Sequence, residues 1–185
     1  MTPRPDSLTK IEAAVWRQLA AAVADKGHGW RTPVLATVDG DAADARTVIL
    51  RDVEAATKKL LVYTDARSGK VAQLQARPHG TLVMWSHALG WQLRCRARLA
   101  VETSGLATSS RWARIRLLPS AQDYLSPVPP GAPLADPRQA DRGAVARDHF
   151  AVVTAEVESL DWLELHRDGH RRAVFDTQGA RWVQP

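Results

Sequence analysis

The sequence predicts a mainly β, α+β domain: an antiparallel barrel with a few peripheral helices. Three observations lead there. From Trp91 to Val101 the odd positions are apolar, while Gln92, Arg94, Arg96 and Arg98 fill most of the even ones, the period-two signature of a half-buried strand. Elsewhere, short apolar runs flank turn signals such as Asp39-Gly40 and Asp168-Gly169, which favour hairpins. Helical periodicity is confined to three modest stretches that do not alternate with the strands, which argues against a doubly wound sheet.

In chain order, residues 1–6 carry two prolines and read as a loose start. Thr9 to Glu12 matches a capping box, and Leu8, Ile11, Val15, Leu19 and Ala22 share one helical face. A helix therefore occupies the 1–31 segment and ends near Lys26-Gly27. Pro33 to Val38 reads as a strand, and Ala45 to Val53 as the strand returning from the Asp39-Gly40 turn. Leu60 to Tyr63 is the next strand, followed by a helix over Ser68 to Gln75, a break at Pro78, and strands over Gly80 to Ser86 and Trp91 to Val101. Thr108 to Leu118 looks helical. The stretch 119–143 holds six of the 11 prolines and reads as an irregular loop within a single 1–185 domain. Phe150 to Leu160, Trp162 to His166, Arg172 to Phe175 and Ala180 to Val183 bring the strands to seven or eight.

A chain of 185 residues, 45% hydrophobic, is enough for one domain with its own core. Its single cysteine, Cys95, excludes an internal disulfide and a multi-cysteine metal cluster, and falls on the apolar side of its strand as a small core residue. The start MTPRPDSLTK lacks the apolar stretch of a signal peptide, and no apolar run reaches the roughly 20 residues of a membrane span. A cytoplasmic protein with no membrane partner is expected. The net charge of +5 suits anionic ligands, although arginine enrichment alone does not choose among them. His166 and His170 flank a turn with no further ligand to complete a zinc set, so no metal is expected.

One stretch concentrates chemistry. Between Arg46 and Lys70 the order is apolar run, turn, apolar run, polar loop, helix start. Ser68 stands at the helix N-cap and Lys70 in the first turn, where a cation opposes the helix dipole unless an anion offsets it. Arg46, Arg51, Thr64, Ser68 and Lys70 thus surround one possible phosphate. Arg46 and Arg51 alone read as solvated strand ends; the combination with Ser68 and Lys70 favours a site.

Four elements in order, R-x-V-x-L-R (Arg46 to Arg51), Y-T-D-x-R-S-x-K (Tyr63 to Lys70), W-Q-L-R (Trp91 to Arg94) and a late W-x-E-L…R-R…F…W (Trp162 to Trp182), resemble the pyridoxamine 5'-phosphate oxidase-like flavoproteins. The resemblance runs from about Pro33 to the C-terminus and implies a split β-barrel homodimer with FMN at the subunit interface. It implies that Arg46 and Lys70 hold the FMN phosphate with Ser68, that Tyr63 and Thr64 line the flavin, and that Gln92 hydrogen-bonds it. Trp162 and Arg172 would reach in from the other subunit. Arg51, a lysine in many relatives, would serve the cofactor and the phosphate of a small-molecule substrate.

Other substrate positions depart from the family. Trp112, Arg116 and Ser120 occupy a box of tyrosine, arginine and serine, and the indole of Trp112 only donates. Arg171 can stand for the arginine of a late R-x-H element, but Ala173 takes the histidine's place. The resemblance therefore implies an FMN-dependent oxidoreductase, passing hydride from an anionic small molecule to flavin N5, with no protein group assigned as catalytic. The alternative is a non-catalytic protein that binds or senses FMN or another phosphorylated cofactor. Nucleic-acid binding through Arg94, Arg96 and Arg98 ranks last, because no stacking aromatics interleave with them.

Overall fold

In the computed structural model, residues 4–134, 136 and 149–185 are described. Helix α1 (Leu8–Ala24) starts at Ser7, whose hydroxyl accepts from the Lys10 N–H. Ser7, not Thr9, is therefore the cap. At the other end the Asp25 N–H returns to Ala21 O, and Arg31 Nη1 donates to Val23 O at 2.5 Å, closing the last turn before Gly27 is reached. Of the expected face, Ile11, Val15, Leu19 and Ala22 are buried, joined by Ala14, while Leu8 is only partly buried.

Nine strands follow: β1 (Val34–Asp39), β2 (Ala42–Thr47), β3 (Leu50–Glu54), β4 (Lys59–Asp65), β5 (His79–Ser86), β6 (Trp91–Glu102), β7 (Phe150–Glu164), β8 (Arg171–Asp176) and β9 (Gly179–Val183). Helices α2 (Gly69–Ala76) and α3 (Leu106–Ile115) and two short 3-10 turns complete the described elements. Every pairing is antiparallel, and the path runs β2-β1-β5-β6-β7-β4-β3. β8 adds to β7, and β9 to β8. β7 is the shared member: it pairs with β6 along its length, with β4 through its first half and with β8 through its last five residues. The sheet does not close, as a split barrel requires.

The expected single strand from Ala45 to Val53 is two strands, and they lie at opposite ends of that path. Between them the chain changes partners: the Val48 N–H donates to Pro33 O and the Leu50 N–H to Arg31 O, both at 2.9 Å. The run reads as continuous strand because Thr47 to Leu50 are β-branched or apolar throughout. Val48 and Leu50 are buried and Ile49 is partly exposed, so the seam between the two sheet edges is itself packed.

The main core gathers α1, Trp30, the inner faces of β1 and β3 to β8, and Trp162, which is completely enclosed. Gly80 lets β5 approach β1, since a Cβ there would stand 2.6 Å from Ala36 O. A smaller aromatic cluster joins Leu61, Tyr124, Phe150 and Val152 to Tyr63, Trp112 and Ile115. It corrects the reading of 119–143 as wholly irregular. Residues 119–124 form a 3-10 turn that buries Ala121 and Tyr124, while residues 135 and 137–143 lie outside the described residues.

Candidate functional site

A cavity of about 250 Å³ opens at the seam. Arg46, Thr47, Val48, Ile49 and Arg51 line it from the crossing chain, Tyr63, Thr64 and Asp65 from the end of β4, and Lys70 from the first turn of α2. Asp123, Tyr124 and Pro130 form a further wall. The topology makes this cavity: two sheet edges meet there, and a strand hands over to a helix through a tight polar loop.

Within that loop Ser68 is the backbone N-cap of α2, but its hydroxyl does not cap the helix. It lies 3.2 Å from Thr64 Oγ1, and Lys70 Nζ donates to both, at 3.0 Å to Thr64 and 3.1 Å to Ser68. Among the described residues no carboxylate pairs with Lys70. Burial and, secondarily, the nearby Arg46 charge depress its ammonium pKa below the ordinary lysine value. A half-buried ammonium, two hydroxyls and a helix start with open N–H groups make a fitting set for a dianionic phosphate. The neighbouring Asp65 is answered locally: it accepts from the backbone N–H, Nε and Nη2 of Arg67 at 2.7, 3.0 and 2.7 Å.

Arg51 sits deeper. Its guanidinium carbon is 5.8 Å from the Tyr63 ring centroid, its buried Nε has no hydrogen-bond partner, and no carboxylate pairs with it among the described residues. An orphaned, buried guanidinium N–H facing two phenol rings is the second anion-seeking feature of the cavity. Burial raises the Tyr63 and Tyr124 phenols above the usual tyrosine value, so both stay protonated at neutral pH.

Arg46, Arg51, Tyr63, Thr64, Ser68 and Lys70 thus come together. Gln92 and Arg172 do not join them in one chain. They share a row across the outer face of the sheet, Trp85–Gln92–Leu163–Arg172, where Arg172 Nε and Nη2 bind Asp161 at 2.9 and 2.8 Å and Arg94 binds it from the other side. Arg94 is therefore half of an ion pair and not a free cation. Trp162 points inward. With no exposed surface and its ring edge-on to Trp91 at 5.2 Å, it belongs to the core and has no face to offer a flavin.

The substrate positions disperse. Trp112 turns its ring to Phe150 and Tyr124, Arg116 is exposed just beyond α3, Ser120 lies in the 3-10 turn, and none of the three lines the cavity. Arg171 is committed elsewhere. Its Nε donates to Glu164 at 2.8 Å, its Nη1 to Pro5 O at 2.8 Å, and its guanidinium lies over Trp162. Sequence reasoning missed Asp123, Tyr124 and Pro130, because proline density hid a packed wall inside an apparent loop.

The family model described as pyridoxamine 5'-phosphate oxidase, FMN-binding domain, matches residues 13–103, a stretch that holds Arg46, Arg51, the Tyr63 to Lys70 loop and Gln92. Over these residues the chain is similar to the pyridoxamine 5'-phosphate oxidase FMN-binding domain. The match starts within α1, earlier than Pro33, and stops before α3, so Trp112 to Ser120 and Trp162 to Arg172 fall outside it. A pyridoxamine 5'-phosphate oxidase-related, FMN-binding protein from Nostoc punctiforme PCC 73102 superposes with a TM-score of 0.74 at 21% identity, over 100% of both chains. PhzG from Burkholderia lata 383, solved with tetrahydrophenazine-1-carboxylic acid, gives 0.76 at 16% identity over 94% of this chain and 91% of its own. The General Stress Protein 26 of Bacillus anthracis str. Sterne gives 0.52 at 15% identity over 80% and 92%. At these identities the likeness is one of fold. No curated protein sequence matches significantly.

Proposed function

We propose that this pyridoxamine 5'-phosphate oxidase-like protein binds FMN with its phosphate at Lys70, Thr64 and Ser68, and works as an FMN-dependent oxidoreductase on an anionic small molecule. The observation that carries the proposal is Lys70: a half-buried ammonium with no direct carboxylate partner among the described residues, resting on two hydroxyls at a helix start. When bound, the flavin supplies the two-electron chemistry, taking hydride at N5. The protein's own part is to anchor the phosphate, to orient the ring through Tyr63 and the seam backbone, and to hold the substrate's charge. Gln92 and Arg172 reach the same flavin only from a second copy, so the working form is a homodimer with the cofactor at its interface, in the cytoplasm.

Arg51 is the group we assign to the substrate anion. Its orphaned Nε and the flanking Tyr63 and Tyr124 suit a carboxylate or phosphate carried on a ring. The ring carboxylate bound to PhzG is one such ligand chemistry to try.

The purified protein should be yellow and release FMN on denaturation; colourless protein that takes up no added FMN would overturn the reading. Lys70→Ala should weaken FMN binding by about 1.5 to 3 kcal/mol, the range for a hydrogen bond to a charged group. The depressed pKa of Lys70 fixes the sign of the pH dependence. Its charge is lost at a lower pH than an ordinary lysine's, so wild-type affinity for FMN should fall as pH rises through that value, and Lys70→Ala should lack the fall. Fluorescence titration of flavin across pH reads both effects.

A second reading, FMN binding or sensing without turnover, draws support from the dispersal of Trp112, Arg116, Ser120 and Arg171 away from the cavity. Rapid reduction of the bound flavin by a member of a pyridoxine phosphate, ring-carboxylate or nicotinamide panel, with multiple turnovers, would exclude it.

A further inference from the structure

Arg46 is the expected partner of the phosphate, yet its guanidinium is already occupied. Nη1 donates to Thr37 Oγ1 at 2.5 Å and to Leu35 O at 3.3 Å. Nη2 donates to Gln73 Oε1 at 2.9 Å and to the Asp44 carboxylate. The four terminal N–H groups are thereby engaged within the protein, leaving Nε–H for a ligand, with the guanidinium charge shared with Asp44. The acceptors bind one another as well: the Thr37 hydroxyl donates to Gln73 Oε1 at 2.6 Å, and Gln73 Nε2 donates to Asp44 Oδ2 at 2.8 Å.

Thr37 and Gln73 are buried, at 4% and 9% exposure, and neither lines the seam cavity. Thr37 is on β1, Arg46 and Asp44 are on β2, and Gln73 is on α2, three residues after Lys70. The helix that presents Lys70 in its first turn therefore grips Arg46 one turn later. Two neighbouring cations repel, and a free arginine would turn out to solvent when no ligand is bound; the closed hydrogen-bond ring removes that option.

We propose that Gln73 and Thr37 are positioning residues that set Arg46 beside Lys70 as a preorganised anion site, an inference that rests on the FMN reading. They act through Arg46 and touch no ligand themselves. Their effect is specific to the phosphate end of the cofactor. Riboflavin, which lacks the phosphate, is the control ligand.

The test compares dissociation constants of FMN and riboflavin, by flavin fluorescence quenching, for wild type, Gln73→Met, Thr37→Val and Thr37→Ser, each checked for folding by circular dichroism. Thr37→Val is close to isosteric and stands in should Gln73→Met not fold. Wild type should prefer FMN to riboflavin. Gln73→Met and Thr37→Val should each lose about tenfold in FMN affinity, the lower end of what outer-shell substitutions cost at metal-ion sites, with riboflavin unchanged. Thr37→Ser, which keeps the hydroxyl, should retain the preference. An unchanged ratio of FMN to riboflavin affinity in the folded variants, or an equal loss of both ligands, overturns the positioning role and leaves FMN binding standing. A wild type with no preference for FMN overturns the parent reading and this one together.

Discussion

Trp162→Ala should lower the stability of the protein by about 3 to 5 kcal/mol, the usual cost of emptying a large aromatic site in a core. The ring has no exposed surface, stands edge-on to Trp91, and carries the Arg171 guanidinium 5.5 Å from its centroid. Its indole N–H has no hydrogen-bond partner, so Trp162→Phe removes volume without breaking a polar contact and should be the milder change. Urea unfolding measures both. The pair also separates core from cofactor: Trp162→Phe should be less stable than wild type and bind FMN with unchanged affinity. Full stability combined with weakened FMN binding would show that the ring touches flavin after all.

The second large effect belongs to Glu164, whose carboxylate joins both ends of the described chain. It is 4% exposed and accepts from Arg4 Nε at 2.7 Å, Arg171 Nε at 2.8 Å and Trp91 Nε1 at 3.2 Å. Burial opposes its ionisation, but the hydrogen bonds from Arg171, Arg4 and Trp91 outweigh that and hold its pKa below the usual carboxylate range. A group whose pKa is lower folded than unfolded contributes stability that is complete above the unfolded value and is lost as pH falls through the folded one. Glu164→Gln should cost about 3 kcal/mol near neutral pH, the low end for breaking a buried ion pair. Arg4, a third exposed at its side chain, can recover water and so limits the loss. The acid limb of the stability curve should flatten in the variant. An acid limb identical to wild type would refute the assignment.

The parts of the fold that were legible are those governed by local chemistry. The alternation from Trp91 to Val101 reports a pleat, and the burial of β6 follows it residue by residue until Val101. The cluster of Thr64, Ser68 and Lys70 was legible because a strand end and a helix start so close in sequence must be close in space. The inward turn of Trp162 was hidden by one residue. Odd positions Val153, Ala155 and Val157 are buried, then even positions Leu160, Trp162 and Glu164. The register against β6 slips between Arg96 and Ala97, leaving Glu158 unpaired, so the inner face changes parity. A motif-based role for Trp162 cannot register such a bulge. The occupation of Arg46 was hidden for another reason: Thr37, Asp44 and Gln73 come from three elements and converge only once the hairpin meets α2.

The place of β7 in the chain order sets the timetable of folding. Asp65 finds its ladder partner in Phe150, and Glu102 finds its own in Val152, so neither β4 nor β6 is flanked on both sides until residues 150–164 exist. During synthesis, which runs from the N-terminus, the crossing chain and the Lys70 loop emerge long before the strand that joins their two halves. The nascent chain must carry two unfinished sheet edges through that interval, exposed to mispairing with other chains. Non-local ladders of this kind also form slowly, because loop closure precedes any reward from pairing. The anion site is therefore encoded early and assembled late.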